Sequence, residues 1–172
     1  MYPVDGQDAV LSLAEVPCPN IGAPLPVVVA SDNQVLLAYI EFQPLPKDWD
    51  GTSCEIVTHH SKEKQIVLVE FLRPRAHFFG PPSDEILSGH PLADRGLKPY
   101  SVFEVTNSSW LRAIIRMDSV HPRHDPKSFT GLRHFVFVFH DSTFECIARS
   151  CQVTRYLGSL RSALQTLIER LE

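Results

Sequence analysis

Residues 132–150, LRHFVFVFHDSTFECIARS, decide how this chain folds. Phe135, Phe137 and Phe139 alternate with His134, Val136, Val138 and His140. A period of two puts the phenylalanines on one face of a strand and the histidines and valines on the other. Asp141-Ser142 follows as a turn pair, because short polar side chains there bond their own backbone. Residues 143–150 then return as the second arm of a hairpin.

Working outward, more strands appear. Residues 27–30 and 34–42 flank Ser31, Asp32 and Asn33 and read as a hairpin. Residues 54–58 are a short strand, and residues 65–72 (QIVLVEFL) are a longer one that Arg73-Pro74 ends, since proline cannot donate to a ladder. Residues 100–106 (YSVFEVT) are another. Residues 110–117 (WLRAIIRM) are a helix or a strand, with Leu111, Ile114 and Ile115 fitting a helical face and Asn107 or Ser109 as the cap. Residues 9–16 are open in the same way, a short helix or an edge strand. The tail is amphipathic: Leu160, Leu164, Leu167, Ile168 and Leu171 recur at helical spacing after Ser159, an N-cap residue. Strands joined by turns predict an α+β protein: a mostly antiparallel curved sheet or open β-barrel with a C-terminal amphipathic helix, in one domain over residues 1–172.

The formal net charge of −4 removes the electrostatic footprint expected of a nucleic-acid binder. Basic residues gather locally at Arg73 and Arg75, and at Arg112, Arg116 and Arg123, but acids are interspersed, which reads as a solvated mixed surface. The cysteines Cys18, Cys54, Cys146 and Cys151 form no C-x-x-C pair, and on one continuous strand Cys146 and Cys151 would face opposite sides. Neither a signal peptide nor an apolar run of membrane-spanning length is expected. The expectation is a reduced, cytoplasmic protein that binds no membrane.

Between the strands lies residues 77–110, HFFGPPSDEILSGHPLADRGLKPYSVFEVTNSSW, where the periodicity stops. Long irregular segments in folded domains are uncommon and usually functional or disordered. The apolar residues Phe78, Phe79, Ile86, Leu87, Leu92, Leu97 and Tyr100 argue for order. An ordered loop lying over the sheet and walling a cleft is expected.

Two segments carry a resemblance. FGPPSDEILSGHPLADRGLKPYSVFEVTNSSW and RHFVFVFHDSTFECIA, spanning residues 75–150, resemble a family of small bacterial proteins with FG-x-P-x-D-E, GHPL, GL-x-x-Y, E-V-x-N-S-x-W and FHDSTFEC motifs. The resemblance implies a bacterial protein and assigns no catalytic role to any residue.

Chemistry is sought among acids and histidines. Glu41, Glu70, Glu104 and Glu145 each sit between apolar neighbours on a strand. A carboxylate on an apolar face must be paired or neutralised, and converging glutamates would supply a general acid and base. The simpler reading is that each marks the wetter end of its strand. His90, between Gly89 and Pro91, is expected to be held in a defined place, with Asp84 and Glu85 upstream to orient it and Glu104 just beyond. The candidate catalytic set is therefore His90, Glu104, Asp84 and Glu85. Tyr100, Asn107, Trp110, Glu70 and His134 are candidate ligand-binding residues. His134 and His140 share a face at opposite ends of one strand, roughly 20 Å apart, so only one of them can join a given centre. His121-x-x-His124 is weak evidence for metal, and neither metal nor cofactor is expected. The leading expectation is a small pocket protein using carboxylate and histidine acid–base chemistry on a small polar or peptide substrate. The alternative is a non-enzymatic interaction or inhibitor module docking through residues 77–110. The chain does not fix an oligomeric state.

Overall fold

The phenylalanine face of residues 132–139 is the inner wall of a two-layer β-structure. The computed structural model describes residues 2–45, 47–52 and 55–169. Among them nine strands form two antiparallel sheets. The first contains β1 (Ala9–Ser12), β6 (Ser101–Thr106), β7 (Arg133–Val138), β8 (Thr143–Ala148) and β5 (Ala76–Gly80), in the order β1-β6-β7-β8-β5. The second contains β2 (Val27–Ala30), β3 (Val35–Ile40), β4 (Lys64–Leu72) and β9 (Ser150–Gly158), in the order β2-β3-β4-β9. Between the sheets, Val35, Leu37, Tyr39, Val67, Val69 and Phe71 meet Phe135, Phe137, Phe139, Phe144, Cys146 and Ala148. The aromatic rings interlock edge-on, with Phe71 at 5.9 Å from Phe137 and Tyr39 at 5.4 Å from Phe139. Such geometry adds to the burial of each ring.

The α+β class, the antiparallel pairing and the C-terminal helix hold; the described strands form two sheets rather than one and close no barrel. Instead the chain turns sharp corners from one sheet to the other. β4 passes into β5 through Arg73, whose φ is +52°, and β8 passes into β9 through Arg149 alone. The corners are tied together: the Arg75 N–H donates to the Ile147 carbonyl (2.8 Å) and the Arg149 N–H to the Leu72 carbonyl (2.9 Å). This break in the alternation changes one expectation. Cys146 and Cys151 both belong to the core between the sheets, because they lie on different strands with a corner between them.

Each sheet is covered on its outer face. Helix α2 (Leu160–Ile168) lays Leu160, Ala163 and Leu167 on Leu36, Ala38, Ile40, Ile66 and Leu68. Ser159 caps it as expected, in a reciprocal pair with Ser162; Leu171 lies outside the described residues. Gly158 permits this entry, since a Cβ there would lie 2.6 Å from the Tyr156 ring. Over the first sheet run the N-terminal segment and residues 81–100, which carry two short 3₁₀ turns, Leu87–Gly89 and Ala93–Arg95. Leu87, Leu92 and Leu97 pack there on Phe103, Val105, Val136 and Val138.

Five local assignments are settled or corrected. Residues 9–12 are an edge strand, and residues 110–117 belong to helix α1 (Ser109–Asp118), capped by Ser108 rather than by Asn107 or Ser109. Residues 55–58 form no strand, and Cys54 lies outside the described residues. β5 and β9 escape the periodicity: β5 lies across the start of the supposed loop, and β9 carries polar Gln152, Thr154 and Arg155 on an exposed edge. No helix among the described residues is long and apolar enough to cross a membrane.

Candidate functional site

Alternation along β7 and β8 puts His134 and Glu145 on the outer face of the first sheet, opposite the aromatic core. The covering segment brings His90 to the same place. The Leu92 N–H donates to His90 Nδ1 (3.1 Å), so the ring proton sits on Nε2, 3.3 Å from Glu145 Oε1. Ser108 Oγ accepts from the Leu111 N–H (3.1 Å) as the cap of α1, which leaves its hydroxyl proton for His134 Nδ1 (2.9 Å). His134 Nε2 then donates to Glu145 Oε2 (2.9 Å), as does the Tyr2 hydroxyl (2.5 Å). Trp110 stacks flat on Tyr2 at 5.3 Å and closes that side. Burial alone would push the Glu145 carboxyl upward; bonds from His134, His90 and Tyr2 outweigh it and hold the pKa at about 2. Burial beside this charge drives the Tyr2 phenol well above its ordinary value.

This cluster is closed. His90, His134 and Glu145 are 3 %, 0 % and 1 % exposed, and each polar side-chain atom has a partner. It ties the N-terminal segment, the covering loop, two strands and the cap of α1 to one carboxylate. A buried polar network satisfied in this way specifies which segments meet.

A second cluster stands at the far end of β7, where the chain leaves the sheet. Asp84 is pinned there by its backbone, its N–H donating to the His140 carbonyl at 2.9 Å. The Tyr100 hydroxyl and His140 Nδ1 both bond Asp84 Oδ2, the imidazole at 2.9 Å. Tyr100 lies 3.0 Å from the same imidazole nitrogen, with its ring roughly parallel at 6.2 Å. Asp84 Oδ1 is buried with no hydrogen-bond partner among the described residues. Tyr100 adopts a left-handed backbone, φ +55°, a conformation costly for an aromatic residue and found where surrounding structure enforces it. The Tyr100 and His140 bonds hold the Asp84 carboxyl below its usual range. The same bond raises His140 above 6.5, and Asp84 pushes the Tyr100 phenol up to about 12. Unlike the first cluster this one meets solvent: the His140 side chain is 42 % exposed, and its Nε2 has no partner among the described residues.

The expected residues are thus divided between two places. Glu104 does not approach His90. It points to the opposite face of β6, where Arg133 grips it through Nε at 3.0 Å, because Phe103 and Val105 occupy the face toward His90. Gly89 is not what positions His90, since its φ is not positive and a Cβ there would meet nothing within 4 Å. The ring's own bonds to Leu92 and Glu145 do that. Asp84 belongs to the second cluster, and Glu85 is exposed beside it. Tyr100 joins Asp84, His134 joins Glu145, and Trp110 supports the first cluster from above. Asn107 is a backbone device, taking φ +51° at the turn into α1 and offering its carbonyl to Arg112. Glu70 lies on the outer face of the second sheet, and Glu41 pairs with Arg155. The four strand glutamates therefore do not converge. His121 and His124 are engaged separately, the first accepting from the Arg123 N–H and the second bonding Asp118 at 2.6 Å. Missing from the expected set were Glu145 as the partner of His90, Tyr2, Ser108 and the pairing of His140 with Asp84. Alternation marked the faces of Glu145 and His140; nothing in the sequence marked Tyr2.

No family model, curated protein or solved structure matches this chain.

Proposed function

We propose that the protein is a small acid–base enzyme acting on a polar or peptide substrate, with His140 as its proton-transferring group. The observation that carries this reading is the convergence of Tyr100 and His140 on one oxygen of Asp84, with the other nitrogen of the 42 % exposed imidazole side chain unpartnered among the described residues. Asp84 accepts the Nδ1 proton and so fixes the tautomer whose lone pair is on Nε2. That lone pair takes a proton from a substrate hydroxyl or an attacking water, and Asp84 stabilises the imidazolium that forms. Tyr100, held as the un-ionised phenol, donates to Asp84 and keeps the carboxylate charged. The closed Glu145 cluster is the scaffold that fixes the loop on which Asp84 and Tyr100 sit.

The test is a substrate panel of activated esters, amides and short peptides. Wild-type protein is expected to turn over at least one class, with His140→Gln lowering the rate by about 10²- to 10⁴-fold, the usual worth of a general base. The rate should rise as pH passes the His140 pKa, above 6.5, and Asp84→Asn should move that limb to lower pH. A panel in which wild type and His140→Gln never differ removes the reading.

A docking module is the second reading, favoured by one observation. Phe79 and Ile86 flank the Asp84 segment with 42 % and 57 % of their surface exposed, although the other side of the segment is spent on the sheet. Under that reading Ile86→Asp abolishes capture of a partner and His140→Gln does not.

A further inference from the structure

The sheet corners that end β4 and β8 gather charge that the sequence disperses. Arg73 and Arg75 stand on one corner and Arg149 on the other, and the crossed backbone bonds between the corners bring all three to one cavity of about 250 Å³. Lys127 joins them from the 3₁₀ turn Pro126–Phe129. Leu132 and Asp125 also line it.

Four cations face one carboxylate there, a net of three positive charges (four minus one). Asp125 is already engaged, its Oδ1 accepting the Lys127 N–H at 3.0 Å. None of the four cations is in an ion pair among the described residues, although other arginines are: Arg112 with Asp5, Arg133 with Glu104 and Arg155 with Glu41. The chain has 20 acidic residues against 16 basic ones, so acids were available, yet only Asp125 is among the residues lining this cavity. Nor are the arginines simply loose. Arg149 donates from Nη2 to the Thr130 carbonyl at 3.1 Å, and the Arg75 guanidinium lies over the Phe129 ring at 5.6 Å. Each contact fixes part of a guanidinium and leaves further donors of its planar fork unused.

We infer that this cavity is a binding site for a small phosphate-bearing molecule with two or more negative charges. Like charges held together without counter-charge favour an anion, and guanidinium forks match the oxygens of a phosphate in paired bonds. The volume is just below the usual range for small-molecule pockets, which suits a phosphate group with a short carbon portion against Leu132 rather than a nucleotide. The site is separate from the Asp84–Tyr100–His140 cluster. Leu132 and His140 lie at opposite ends of β7, roughly 25 Å apart by strand rise. A ligand here is thus an effector or second substrate, and the inference does not depend on the acid–base reading.

Calorimetric titration with pyrophosphate at low ionic strength tests it. One saturable site is expected, weakened on raising salt to about 0.15 M, where screening reaches such surface charge. The double variant Arg73→Ser/Arg149→Ser should weaken binding by about tenfold or more, since charge-assisted bonds are lost. Lys127→Ser should weaken it too, and serves if the corner variant does not fold. Arg116→Ser/Arg123→Ser, equal in charge change but outside the cavity, should leave affinity unaltered. Absence of saturable binding overturns the inference, as does equal weakening by the control pair. Sedimentation with phosphatidylglycerol vesicles through these same residues, without pyrophosphate binding, would overturn it in favour of a membrane surface.

Discussion

Glu145 and Asp84 are both carboxylates bonded to a histidine and a tyrosine, yet burial gives them different tasks. Glu145 is closed off with three donors, so truncating it strands the Tyr2 hydroxyl and two imidazole N–H groups in the interior. Glu145→Ala should therefore cost about 3 to 5 kcal/mol, the range for removing one member of a buried charged network. Urea unfolding at neutral pH measures it, and a loss under about 1 kcal/mol would mean that water replaces the carboxylate without penalty. The sign with pH follows from the depressed carboxyl. Its stabilisation is complete above the ordinary value near 4.5 and is lost as pH falls toward about 2. Acid unfolding should therefore show a transition in that window that Glu145→Gln lacks. The Asp84–His140 pair has two edges instead. The raised His140 contributes below 6.5 and loses its contribution as pH rises through its folded value. The depressed Asp84 contributes above 3.8 and loses its contribution as pH falls through its own.

At the scale of elements, β7 is where two readings of one alternation meet. Its Phe135 and Phe137 belong to the aromatic core, and its even-numbered residues are the floor under the loop. Phe137 is fully buried against Phe71, Phe144 and Tyr39. Phe137→Ala should cost about 3 to 5 kcal/mol by emptying that site. Equilibrium denaturation decides it, and a cost under about 1 kcal/mol would require the sheet to face the other way. The covering loop is ordered because Leu87, Leu92 and Leu97 bury on that floor while His90 reaches the Glu145 carboxylate. It seals His90 rather than roofing an open cleft over it, and the solvent-facing Asp84–Tyr100–His140 cluster lies at the loop's ends.

For the whole molecule, the corners decide what the strands alone could not. Cys146 is fully buried with its thiol pushed up by burial, Cys151 is partly buried in the same core and Cys18 is exposed. Alkylation of the native protein should label Cys18 first and leave Cys146 unlabelled until unfolding; all four thiols of the chain should react after denaturation without reductant. A count of two or none would show that disulfides form. Periodicity determined the two faces of β7, the strands β3, β4, β6 and β8 and the capped C-terminal helix, because these depend on neighbours one to four residues away, and the apolar residues of the central loop determined its order. Periodicity also placed His134 and His140 at separate centres, since strand rise is a local quantity. Only the tertiary structure decided that His90 meets Glu145 and not Glu104, that His140 meets Asp84, and that Arg73, Arg75 and Arg149 share a cavity. These are contacts between segments 50 or more residues apart, set by how the loop crosses the sheet and where the two sheets turn into one another, and no local spacing encodes them.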